Sequence, residues 1–134
     1  AYVTRNRLRQ HQYGFDPDSY SGFNANNSKR LQGDYDVFGD GRVVIKSTPG
    51  HTPGHQLLYL DLPQSGRIIL SGDLYHFTSN REQRRVPAFN FDKQQTLHSM
   101  EQIEQLVQRS GAQLWIQHDK EQNADIKHAP EFYR

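Results

Sequence analysis

The sequence predicts an α/β fold made mainly of antiparallel strands with one long helix. Three observations predict it. The short apolar runs Val43-Val44-Ile45, Leu57-Leu58-Tyr59-Leu60 and Ile68-Ile69-Leu70 are each bounded by turn residues, which is the pattern of buried strands. The connections between them are rich in Gly and Pro, so the strands form a meander. One stretch, beginning near Lys93, places Leu97, Met100, Ile103, Leu106 and Val107 at helical spacing, with one apolar face.

The elements follow in order. Residues 1–12 read as a short basic helix carrying Arg5, Arg7 and Arg9, and residues 13–30 as a loop of turn formers. An edge strand is expected around Tyr35-Asp36-Val37, followed by a hairpin turn at Gly39-Asp40-Gly41 and a strand over Arg42–Ser47. Ser47 to His55 holds two Pro-Gly-His units and must be a loop. Strands over Gln56–Leu62 and Arg67–Ser71 flank a Pro63-Gln64-Ser65-Gly66 turn. Residues 74–92 read as a polar loop. Its charges Arg81, Glu82, Arg84 and Arg85 suit a solvated face, with a substrate-entrance loop as the competing reading. Asp92 is a fitting N-cap, with Gln95 completing a capping box, and Gly111 a fitting stop. His98 falls between the core positions and is expected at the surface. Gln113–Gln117 reads as a short strand, and residues 120–134 as a polar tail with one helical turn before Pro130.

Composition narrows the function. Sixteen basic and 15 acidic residues leave a net charge of +1, which argues against nucleic acid as the main partner. There is no Cys, so disulfides, thiolate chemistry and Cys metal ligands are excluded. No apolar run approaches the ~18 residues of a membrane span, and a cytoplasmic location is expected. Apolar content is 34%, about 42% with glycine counted, against about 45–50% for a typical globular domain. Yet the strands are apolar on both alternating faces and need cover on both sides. One long helix does not supply that cover, so the chain is expected to be part of a larger domain.

Three candidate metal ligands share one setting. His51, Asp73 and His118 each follow a strand. Side chains at the same ends of neighbouring strands can converge, and two imidazoles with a carboxylate suit zinc, iron or manganese. Gly-Asp at a strand end and His-Asp after one are common on their own; it is the set that points to a metal.

These residues lie in segments that resemble the metallo-β-lactamase-fold hydrolases, above all the N-acyl-homoserine lactone lactonases. The resemblance is carried by Gly33-Asp34-Tyr35-Asp36-Val37, by Thr48-Pro49-Gly50-His51-Thr52-Pro53-Gly54-His55-Gln56 and by Ile69-Leu70-Ser71-Gly72-Asp73. It continues through Val86-Pro87-Ala88-Phe89-Asn90-Phe91-Asp92, Ile116-Gln117-His118-Asp119 and the closing Pro130-Glu131-Phe132-Tyr133. It implies an αββα sandwich of which residues 1–134 are the C-terminal portion of a single domain. It implies that His51 ligates one of two divalent ions, that Asp73 bridges both and that His118 ligates the second. Zinc is the first expectation, with iron, manganese or cobalt as alternatives. His55 would brace the loop, and Asp119 would orient its surroundings. The implied substrate is a small lactone or ester, opened by a hydroxide that the metals activate.

Two departures stand out. The family's His-x-His-x-Asp-His signature, which precedes the Thr-Pro-Gly-His loop and supplies the remaining ligands, does not occur, and His11-Gln12-Tyr13 is no substitute. The N-terminal half is therefore expected to be missing, and the chain alone to be nearly inactive. Lactonases of this type often carry Tyr three residues after the bridging Asp. Here that position is His76, with Tyr75 before it, and either is a candidate catalytic group. Two other readings stay open: a glyoxalase II-like ester or thioester hydrolase, and a non-catalytic truncated domain that pairs with a second copy or with the missing half.

Overall fold

The computed structural model describes Gly22 and residues 28–134; the expected basic helix over 1–12 and most of the loop over 13–30 lie outside the described residues. The unit Gly33–Arg134 contains β1 (Tyr35–Asp36), β2 (Val43–Ser47), β3 (Gln56–Leu62), β4 (Gly66–Leu70), a 3-10 turn (Gly72–Leu74), α1 (Thr78–Glu82), α2 (Lys93–Ser110), β5 (Gln113–Trp115) and α3 (Lys120–Asp125). The five strands form one sheet in sequence order. β1 through β4 are antiparallel neighbours, and β5 joins β4 in parallel after the helical crossover of α2.

The register sorts the apolar residues onto two faces. Val44, Tyr59, Ile69 and Leu114 form one cross-strand row, with Leu57 beside it on the same face. Onto that face α2 lays Met100 and Ile103, flanked by Leu97, Leu106 and Val107, to close the core. The alternate row of Ile45, Leu58, Leu70 and Trp115 faces the other way. Its members are half-buried, and Trp115 meets Tyr133 edge-on at 4.7 Å between ring centroids. The two-sided apolarity of the strands is thus real, and the described helices cover one side of it.

Local chemistry sets the turns. The Asp36 carboxylate accepts hydrogen bonds from the N–H groups of Phe38, Gly39 and Gly41, and it winds the chain tightly between β1 and β2. Asp92 caps α2 by accepting from the Gln95 N–H at 2.9 Å. The Gln95 side chain donates back to the other Asp92 oxygen at 3.0 Å, so the box closes on the carboxylate. Gly111 stops the helix in the left-handed region at φ 67°, where its N–H reaches the Val107 carbonyl.

The tail carries its expected helical turn before Pro130 as the short helix α3, and Asp119 caps it. Two readings change. The segment 74–92 is not wholly loop, since it contains the short helix α1. The buried residues of α2 are Thr96, Ser99, Met100 and Ile103, so the inward face includes two small hydroxyl residues that hydrophobic periodicity overlooks. Among the described residues, no helix is long and apolar enough to cross a membrane.

The cap on α2 gives a direct check. Asp92→Ala should cost about 1 kcal/mol of stability, read as a lower urea midpoint at unchanged slope.

Candidate metal centre

The Pro-Gly-His loop is fixed by its own ends. The Thr48 N–H donates to the His55 carbonyl at 3.0 Å, and Thr48 and His55 are both buried. The His55 Nδ1 lies 3.0 Å from the Thr48 carbonyl and 2.8 Å from its hydroxyl. On the opposite side, Nε2 accepts the backbone N–H of Asp73 at 2.9 Å. An imidazole nitrogen that accepts cannot carry a proton, so His55 holds its proton on Nδ1 and is neutral. Burial pushes its pKa down, and the Thr48 bond only partly offsets this. His55 therefore ties the loop after β2 to the turn after β4, which is the bracing role expected of it.

The loop also docks onto α2. Ser99 donates its hydroxyl to the Pro49 carbonyl at 2.8 Å. Gly50 sits at φ 140° against the helix, and a Cβ there would lie 2.3 Å from the Thr96 nitrogen. This explains the two buried hydroxyl residues of α2: they make room for the loop and satisfy it. Behind the loop, the N–H groups of Phe91 and Asp92 donate to the carbonyls of His51 and Gly50.

His51, Asp73 and His118 come together as expected. The His51 Nδ1 faces the Asn90 side-chain oxygen at 3.1 Å, which accepts its proton and leaves Nε2 free to face Asp73 Oδ2 at 3.4 Å. The His118 Nε2 lies 2.8 Å from the other oxygen, Asp73 Oδ1. One carboxylate thus offers a different oxygen to each of two imidazoles. Burial pushes the Asp73 carboxyl up, but the His118 hydrogen bond and the neighbouring histidines outweigh it, and the net pKa lies below the ordinary carboxylate value. Asp73 is therefore ionised at neutral pH, as a ligand must be.

Tyr75 and His76 separate. Tyr75 is 1% exposed within the core, and its hydroxyl donates to Glu104 Oε1 at 2.8 Å, so it takes no part in the cluster. His76 faces the histidines, with its ring stacked on His118 at 5.4 Å and tilted against His51 at 5.7 Å. Burial lowers its pKa, and the two other imidazoles reinforce this against the opposing pull of Asp73. Phe89, 71% exposed, stands edge-on to both His51 and His76.

Supports close around this cluster from two sides. Asp119 is buried; it accepts from the backbone N–H and hydroxyl of Thr78 and from the Gln122 N–H, tying the His118 loop to the segment after His76. Arg81 forks onto Glu104 at 2.7 and 2.8 Å, locking α1 to α2. The polar charges of this segment are thus partly structural. Sequence reasoning missed Asn90, Ser99, Arg81 and Glu104; the nearness of Asn90 to the Asp92 cap is the one signal that could have suggested the first.

The sheet and the doubled Pro-Gly-His loop give the chain the metallo-β-lactamase fold, the fold of the solved structures it superposes on. Within it, the chain is related to the N-acyl homoserine lactonases. It is 30% identical over 138 residues to the N-acyl homoserine lactonase AttM of Azorhizobium caulinodans, spanning 93% of this chain and 52% of that one. It is 34% identical over 106 residues to the N-acyl homoserine lactonase AiiA of Bacillus thuringiensis subsp. kurstaki, spanning 79% and 41%. A solved N-acyl homoserine lactone hydrolase, with the product N-hexanoyl-L-homoserine bound at its catalytic metal centre, superposes with a TM-score of 0.72 at 34% identity, over 81% of this chain and 42% of that one. A probable metal-dependent hydrolase from Staphylococcus aureus shares the fold at a TM-score of 0.60 and 16% identity, over 72% and 34%. No family model matches the chain. The chain spans about half the length of the curated relatives it matches.

Two outcomes test this construction. Gly50→Ala should destabilise the domain by about 1–3 kcal/mol, because loop and helix must part to admit the methyl group; the thermal midpoint measures it. Arg81 hydrogen bonds, with help from Tyr75, hold the Glu104 carboxyl below its ordinary value against the opposing effect of burial. A depressed folded pKa stabilises above the unfolded value, and that contribution is lost as pH falls through the folded one. Stability of the wild type relative to Glu104→Gln should therefore shrink as pH drops below 4.5, as urea midpoints across a pH series would show.

Proposed function

We propose that residues 1–134 are the C-terminal portion of a dinuclear metal hydrolase domain that opens a lactone ring of the acyl-homoserine type. The observation that carries this reading is the division of Asp73, with Oδ1 toward His118 and Oδ2 toward His51. A carboxylate placed this way suits a bridge between two cations, one on the His51 side and one on the His118 side. The donor set is nitrogen and oxygen only, which fits two zinc ions, with iron, manganese or cobalt as alternatives. Metal ions bound there would polarise a carbonyl and lower the pKa of a coordinated water.

The residues of this chain prepare the site in three ways. Asn90 fixes the His51 tautomer so that Nε2 is the free nitrogen. His55 and Asp119 hold the loops that carry the other donors. Phe89 gives the site an apolar wall, suited to the non-polar part of a substrate. The remaining ligands would come from a His-x-His-x-Asp-His segment, which the chain does not contain. The similarity to N-acyl homoserine lactonases over nearly the whole chain favours a lactone over a thioester.

The test is complementation. Zinc-loaded chain should open N-hexanoyl-homoserine lactone barely above background. Adding or fusing the N-terminal half of the Bacillus thuringiensis lactonase should raise the rate by orders of magnitude, and Asp73→Ala should abolish the gain. Full turnover by the chain alone would overturn the divided-site reading. Faster hydrolysis of a glutathione thioester than of the lactone by the complemented form would replace the substrate.

A further inference from the structure

We propose that His76 is itself a metal ligand, forming with Asp73 and His118 a three-donor set within this one chain. The inference rests on the metal reading above and goes beyond it, because His51, Asp73 and His118 are the ligands that reading uses.

Three observations carry it. First, one donor atom each from Asp73, His76 and His118 lies within 4.8 Å of the others, which among the described residues is the cluster able to hold an ion. Second, the Nδ1 of His76 is buried and has no hydrogen-bond partner. Buried polar atoms are nearly always satisfied, and an orphaned imidazole nitrogen calls for an explanation. Nδ1 of this ring is thus not used as a hydrogen-bonding brace, in contrast with His55, whose two nitrogens are both engaged. Third, the ring stacks on His118 with planes 11° apart at 5.4 Å. The stack sets the His76 ring, with its unsatisfied nitrogen, beside the His118–Asp73 pair, where a cation could be shared by all three.

The position is also held in advance. The flanking Tyr75 side chain is anchored in the core on Glu104, and Thr78 is anchored on Asp119. Residue 76 lies between two fixed points, which a ligand needs because a metal site fails when its donors wander. Two imidazoles and one carboxylate are a common ligand set for zinc and for ferrous iron, and three protein donors leave a coordination position open to water or substrate. The set draws on the ends of β4 and β5 and on the turn between β4 and α1, and needs no donor from outside residues 73–118.

The experiment is metal binding by the 134-residue chain, read without any assay of turnover. Zn(II) affinity is measured by competition with a chromophoric chelator, and Co(II) loading by the intensity of its visible absorption. Wild-type chain should bind one ion. His76→Gln should lower the affinity about tenfold or more and change the Co(II) bands, while His98→Gln, on the exposed face of α2, should change neither. Ring-nitrogen NMR of the wild type gives the direct readout if the variant folds poorly: a His76 nitrogen should move on zinc addition together with one of His118. Binding by His76→Gln with wild-type affinity and spectrum, or unmoved His76 nitrogens at saturation, would overturn the inference and leave the His51–Asp73–His118 reading standing. No metal binding by the wild type would likewise overturn the inference, and the divided-site reading would then rest on the complementation test.

Discussion

The buried imidazole of His55 is the constraint on which the site depends. Its two nitrogens join elements that are far apart in sequence: Nδ1 holds the Thr48 end of the loop and Nε2 accepts the Asp73 N–H. Because Nε2 accepts, the ring must stay neutral, and burial keeps it so. The same contact dictates the residue before Asp73. A Cβ on Gly72 would lie 2.8 Å from His55 Nε2, and Gly72 has φ 52°. Gly-Asp after β4 is thus the shape the chain must take to let a histidine hold the Asp73 backbone while the Asp73 side chain is turned to two others.

Helix α2 does two jobs with one face. Its central Met100 and Ile103 bury against the sheet, while Thr96 and Ser99 at the same depth receive the loop. One hydroxyl meets a backbone carbonyl and the other stands where Gly50 allows close approach. An all-aliphatic stripe would bury more apolar area but would leave the Pro49 carbonyl unsatisfied and hold the loop away. Core packing and site placement are therefore coupled through about two turns of one helix.

Much of this was legible in sequence, and for a physical reason. Strands β2 to β4, the Asp92 cap and the Gly111 stop are written in residues close together along the chain, where periodicity and turn chemistry act. The convergence of His51, Asp73 and His118 was legible because strand ends are where the loops that could carry a site must lie. The long loop over 74–92 was misread because α1 has no apolar stripe; it is held by Arg81 on Glu104, a contact across 23 residues. Tyr75 and His76 could not be told apart for a related reason. Adjacent residues leave the backbone in different directions, and which one faces the core is decided by Glu104, a partner no local pattern announces.

That decision has a chemical logic. A Tyr hydroxyl in the core needs an acceptor, and Glu104 can serve only because Arg81 neutralises it. Burial and the Glu104 contact both raise the phenol's pKa, so Tyr75 stays a neutral donor that cannot supply charge to a reaction. With the phenol committed to the Glu104 pair, the next residue is the one left to meet the histidines. The Tyr75–Glu104–Arg81 network lies away from His51, Asp73 and His118, yet it sets which side chain enters the cluster. It makes the environment of Asp73 one of three imidazoles rather than two imidazoles and a phenol.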